Sequence, residues 1–157
     1  MPLVRDRFMI AVFVGVVVLT LACPGGSLAI GSPSWLISPE EAALAPAEDD
    51  GIRSRSLSDA GPGIDIVKPV EGEIVPSPAE IFIRFLPKTV TIDLTSLKVT
   101  LLKFISIDLT DRLKPYIDLT GIMVKDAKVP VGTYRVRISL SDSHGKTSTR
   151  EISFEVR

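Results

Sequence analysis

Few side chains in this sequence could do covalent or metal chemistry. His144 is the only histidine and Cys23 the only cysteine among 157 residues. A serine hydrolase needs its imidazole held and oriented by a third group, whereas His144 stands in Asp142-Ser143-His144-Gly145-Lys146, a run of turn-forming residues. Zinc draws on several His or Cys ligands, which one of each does not supply. A phosphate-binding glycine loop opens a helix, but Gly61-Pro62-Gly63 opens an extended pattern. Acidic residues are plentiful, yet no spacing selects the carboxylate pair of a glycosidase. The expectation is a protein with no catalytic residue, no cofactor and no enzymatic activity.

The acids do show one pattern. Ile-Asp-Leu-Thr occurs at residues 92–95, 107–110 and 117–120, at intervals too unequal for a repeat architecture. Asp93, Asp108, Asp111 and Asp118 could together offer the oxygen ligands that calcium takes in numbers of six to eight. The alternative is local: each Asp and Thr closes a turn on its own backbone. The second reading is preferred, because no D-x-D-x-D-G loop is present, and no metal ligand is assigned.

Arg112, Lys114 and Tyr116 form a candidate partner-contact patch. They lie in residues 110–116 (TDRLKPY), where a helical turn capped by Asp108 or Thr110 and stopped before Pro115 is expected. With residues 117–125 this reads as an insertion between strands, a solvated crossover loop unless a partner docks there.

The elements that would position these residues start after an export signal. Arg5 and Arg7 precede an uncharged apolar run at residues 8–22, and Pro24, Gly25 and Gly26 break it. That run is shorter than the ~20 residues a membrane-spanning helix requires. Ser27-Leu28-Ala29 suits signal peptidase, so residues 1–29 are read as a signal peptide with cleavage after Ala29. The destination is the periplasm or the extracellular space. Cys23 is a candidate lipidation site that would anchor the chain to a membrane, although Thr20-Leu21-Ala22 matches a lipobox only at Ala22. The preferred reading loses Cys23 with the signal, leaving a chain without thiol or disulfide.

Residues 30–62 are rich in Ser, Pro, Ala, Gly and charge. They carry too little apolar surface to offset the ~1–2 kcal/mol per residue of backbone ordering, and are read as a mostly disordered flexible linker. Ser38 could cap a short helix over residues 40–44, with Pro39 at its first position. Trp35-Leu36-Ile37 is either a docking patch or a stray apolar cluster, and the latter is preferred.

From Ile64 onward the apolar period is two rather than 3.6. Ile81, Ile83 and Phe85 share one face of a strand expected to be central. Leu97, Val99 and Leu101 share another, and so do Tyr134, Val136, Ile138 and Leu140, followed by Ile152, Phe154 and Val156. Ile74-Val75, bounded by Pro76 and Pro78, reads as an edge strand. Asp142 to Lys146 should turn an antiparallel hairpin, with Arg135 and Arg137 pairing across it with Glu151 and Glu155 on the wet face. The pattern predicts an all-β fold over residues 63–157, a single antiparallel sandwich of about seven strands. Lys and Arg number 18 against 19 acids. This balance gives no field to attract nucleic acid.

Val129-Pro130-Val131-Gly132-Thr133-Tyr134-Arg135-Val136-Arg137, then Asp142 to Gly145, then Ile152-Ser153-Phe154-Glu155-Val156, resembles the closing strands of bacterial immunoglobulin-like domains. Ile92-Asp93-Leu94-Thr95-Ser96-Leu97-Lys98-Val99 is similar to an earlier strand of the same family. The resemblance implies an immunoglobulin-like sandwich in which Tyr134 is a tyrosine corner, its hydroxyl returning to backbone near Lys128 or Val129. It implies contact as the mode of action: binding of an envelope protein or an extracellular polymer, or service as a structural spacer or subunit of an envelope assembly, for which Ile74-Val75 offers a sheet edge. A hydrolase or calcium-binding module is the weaker alternative.

Overall fold

The computed structural model describes residues 35–47 and 59–157. The expected signal peptide and Cys23 therefore lie outside the described residues. Among the described residues, no helix is long and apolar enough to cross a membrane.

Two sheets face each other. One holds β1 (Gly63–Lys68), β3 (Ala79–Leu86), β7 (Gly121–Ala127) and β6 (Ile117–Asp118), in the order β1-β3-β7-β6. The other holds β2 (Ile74–Val75), β9 (Thr147–Val156), β8 (Gly132–Asp142), β4 (Ile92–Leu102) and β5 (Ser106–Asp108), in the order β2-β9-β8-β4-β5. Every pairing is antiparallel except β2 with β9. The chain is an all-β sandwich, and the alternation predicts the inward faces of its long strands. Leu97, Val99 and Leu101 of β4, Tyr134 to Leu140 of β8 at every second residue, and Ile152, Phe154 and Val156 of β9 are buried in one core cluster. Among the described residues, nine strands stand where about seven are expected, because β2, β5 and β6 are two- or three-residue ladders.

The β8–β9 hairpin is in register from Gly132–Val156 to Ser141–Thr147. Gly145 takes the positive φ of its turn, at 76°, and the Asp142 carboxylate accepts from the His144 and Lys146 amides. Arg137 pairs with Glu151 as expected. Glu155 instead faces Thr133 and binds Arg157, while Arg135 faces Ser153.

Two readings need correction. Residues 117–125 are not a crossover loop: they form β6 and most of β7, and β7 is interior to its sheet. The sequence conceals this strand because outward Met123 is apolar, only Ile122 and Val124 alternate clearly, and the inward series ends on small Ala127. Gly121 closes the tight β6–β7 turn with φ 154°. A Cβ there would come within 1.9 Å of the Ile83 carbonyl oxygen, so the close backbone approach requires glycine.

The second correction concerns residues 35–47, which are not a free linker. Leu36 and Ile37 are buried in the core, Ile37 to 1 % exposure. The Leu36 amide donates to the Lys128 carbonyl just after β7 at 3.0 Å, and the Phe104 amide after β4 donates to the Ala45 carbonyl at 2.8 Å. The segment thus straps one sheet to the other. Composition understates such a segment, because two apolar residues in a pre-existing gap gain ~1.5–3 kcal/mol each while a capped helix satisfies the adjoining backbone. That helix, α1, spans Pro39–Ala42 rather than residues 40–44 and has a complete capping box between Ser38 and Glu41.

Candidate functional site

The strap and the segment after β5 meet at Arg112. Helix α2 (Thr110–Leu113) seats Leu113 in the core, which turns Arg112 toward the strap. Its two terminal nitrogens bind the two Glu41 oxygens at 2.6 Å each, and one of them also reaches the Leu36 carbonyl at 2.9 Å. This hydrogen-bonded guanidinium, aided by the Ser38 amide, holds the Glu41 carboxyl below its ordinary pKa, and Glu41 in turn raises that of Arg112. Arg112 is therefore committed within the chain and anchors the strap.

Of the other two members of the sequence patch, Tyr116 lines a cleft with Arg112 and Lys114 does not. Lys114 is exposed and pairs with Asp111 at 2.6 Å. Tyr116 ends a 3-10 turn over Lys114–Tyr116, so helical structure runs through Pro115 instead of stopping before it. Tyr116 is 45 % exposed and lines a cleft of about 210 Å³ together with Trp35, Leu36, Arg112, Val124, Ala127 and the exposed Asp126 and Lys128. Trp35 remains 36 % exposed beside two buried neighbours. Both backbone groups of adjoining Leu36 are bonded, so the indole is set at the cleft's edge by the strap. Neither aromatic's role was legible alone: Trp35 falls in a linker-like stretch, and its meeting with Tyr116 depends on a strap that composition does not announce.

Lys103 is a functional-looking group that sequence reasoning passed over. It follows β4, is only 6 % exposed, and has no carboxylate partner among the described residues. Its ammonium donates to the carbonyls of Thr133 at 3.1 Å and Ala42 at 3.3 Å, and lies 5.0 Å from the centre of the Tyr134 ring. Loss of hydration lowers its pKa. It ties the end of α1 to β8, which is a structural use of a buried cation.

Tyr134 is itself buried, and its hydroxyl donates to the Pro130 carbonyl at 2.7 Å, one residue beyond the expected Lys128–Val129. Burial raises its pKa.

The three Ile-Asp-Leu-Thr strings act locally. The carboxylates of Asp93, Asp108 and Asp118 accept from the amides of Thr95, Thr110 and Thr120 at 2.9, 2.8 and 2.6 Å. Threonine and backbone donors lower all three pKa values. Each aspartate is turned onto its own turn, and no group of three or more acidic, His or Cys side chains suited to a metal occurs among the described residues. A shallower depression of about 460 Å³ lies over residues 87–92 and Leu119, with Lys88 as its one ionisable side chain.

No family model matches the chain, and no curated protein matches it. Solved structures with a similar course of strands include an endo-beta-1,4-mannanase from Thermotoga petrophila, at 15 % identity and TM-score 0.44 over 61 % of this chain. CopC from Methylosinus trichosporium OB3b is similar at 13 % identity and TM-score 0.38, over 60 % of this chain and 93 % of its own. Fibronectin(III)-like modules of Clostridium thermocellum CbhA are similar at 21 % identity and TM-score 0.36, over 60 % of this chain and 94 % of theirs. The matched part of the mannanase is 20 % of its length. Likenesses at these identities and TM-scores carry no activity or ligand across.

Proposed function

We propose that this chain is an exported, non-enzymatic binding module that contacts an envelope protein or an extracellular polymer through the cleft between Trp35 and Tyr116. The observation that carries the reading is the ordered backbone that brings both aromatics to one cleft: the Leu36 backbone bonds and the Arg112–Glu41 pair hold the chain next to Trp35, and the 3-10 turn sets the backbone of Tyr116. Rigid aromatic area is what recognition surfaces concentrate, because it loses little entropy on binding. Hydrolysis finds less support. Neither the cleft nor the larger depression brings a nucleophile to a base among the described residues, and His144 sits in the exposed β8–β9 turn.

The spacer reading rests on β2 as an open sheet edge. Two residues followed by Pro76 and Pro78 offer a strand-adding partner few hydrogen bonds, which favours the cleft. Affinity purification from envelope extract with the full-length chain, beside a Trp35→Ala/Tyr116→Ala variant, tests the contact role. Material enriched by the native chain and lost with the variant is the expected result. Equal recovery by both, or nothing reproducible with either, contradicts it.

A further inference from the structure

The chemistry of the cleft points beyond contact in general to a class of ligand. We infer that it binds a neutral pyranose chain, one sugar ring lying between Trp35 and Tyr116 and the chain continuing past Tyr116; this rests on the binding role proposed above. Size is the first reason. At about 210 Å³ the cleft is below the ~300–1,000 Å³ of sites that enclose a drug-sized ligand, so it suits one ring of a larger molecule. A second depression of about 320 Å³ adjoins it, sharing Tyr116, Val124 and Asp126 and reaching exposed Met123. Together they make a groove for successive units.

Polarity is the second reason. Each pyranose has apolar C–H faces that stack on aromatic rings and a rim of hydroxyls that both donate and accept. The cleft's lining includes the matching parts: two aromatic side chains, the acceptor-only carboxylate of Asp126 and the donor-only ammonium of Lys128. Neither charge has an ion-pair partner among the described residues, and both are exposed, so they stay hydrated while bonding hydroxyls. In the cleft itself Asp126 and Lys128 balance in charge, and the guanidinium of Arg112, which also lines it, is already paired with Glu41, so the cleft gives no net preference for an ionic ligand; Lys125 lines only the adjoining depression. A proline-rich peptide is the other ligand that aromatic grooves commonly take, but its backbone offers mainly carbonyl acceptors, which the Asp126 carboxylate would repel.

Trp35 is the only tryptophan, so its fluorescence reports this site alone. The full-length chain is titrated with cellohexaose, mannohexaose and chitohexaose, and separately with a proline-rich decapeptide. The expected result is a saturable blue shift with at least one hexasaccharide, at a Kd of ~0.1–1 mM. Tyr116→Ala and Asp126→Ala should each weaken it about tenfold or more, and Asp126 is exposed enough for its variant to keep the fold. No saturation with any of the three, saturation by the decapeptide instead, or affinity unchanged in both variants would overturn the assignment. These outcomes leave the contact role to the extract experiment, whose own failure shows as equal recovery with the native and double-variant baits.

Discussion

Lys103 shows how a single residue departs from what its type suggests. A lysine after an apolar strand reads as a solvated end, yet Lys103 is buried, and its ammonium lies over the Tyr134 ring and donates to two carbonyls. The folded state lowers its pKa below the unfolded value of about 10.4. Between those two values the unfolded chain holds a proton that the native chain has released, so this group's contribution to stability rises with pH across that interval. Tyr134 works in the opposite sense: its raised pKa makes the native state lose stability above about pH 10, where the unfolded phenol ionises first. Urea denaturation of the native chain and of Lys103→Met, from neutral pH to just below pH ~10, should therefore show the native chain gaining on the variant. Parallel pH curves for the two would contradict the burial of a charge at this point. The aspartates were more legible than the lysine, because an Asp two residues before a Thr or backbone amide carries its own turn, whereas burial of Lys103 is decided by the distant strap.

At the scale of elements, the strap over residues 35–47 is the feature that composition most misrepresents. Its two anchoring side chains, Leu36 and Ile37, gain their surroundings from strands far along the chain, so local polarity is a poor guide. Ile37→Ala should destabilise the fold by ~2–5 kcal/mol, as truncation of a buried aliphatic does, while Ile105→Ala at an exposed position should change little. Equal, small effects in denaturant melts would mean that the strap is not packed. The Arg112–Glu41 pair, partly exposed, should contribute up to ~1 kcal/mol. Since the folded pKa of Glu41 lies below its unfolded value of ~4.3, that increment is complete above the unfolded value and disappears as pH falls through the folded one. The stability gap between the native chain and Glu41→Gln should accordingly close in acid. Strand β7 is the other element the sequence leaves obscure, since its outward Met123 breaks the alternation that made β8 and β9 plain.

For the molecule as a whole, two-residue periodicity predicts the sandwich and the central place of β3, while Pro76 and Pro78 predict the edge place of β2 and the Asp142–Lys146 turn residues predict the closing hairpin. Periodicity was insufficient for the candidate site, because it reports which face a side chain occupies and not which distant segment covers a gap. Arg112, Lys114 and Tyr116 looked like one patch through nearness in sequence; packing keeps the first and third in one cleft lining, with Arg112 tied to the strap, and pairs the second with Asp111. The placement of Trp35 in one cleft with Tyr116 depends wholly on the strap being part of the fold. Residue-resolved amide hydrogen exchange on the full-length chain tests that dependence most directly, at the Leu36 amide bonded to Lys128 and the Phe104 amide bonded to Ala45. Both should exchange slowly, with protection approaching that of core strand amides; exchange of both at the rate of an unstructured peptide would contradict the strap and, with it, the site.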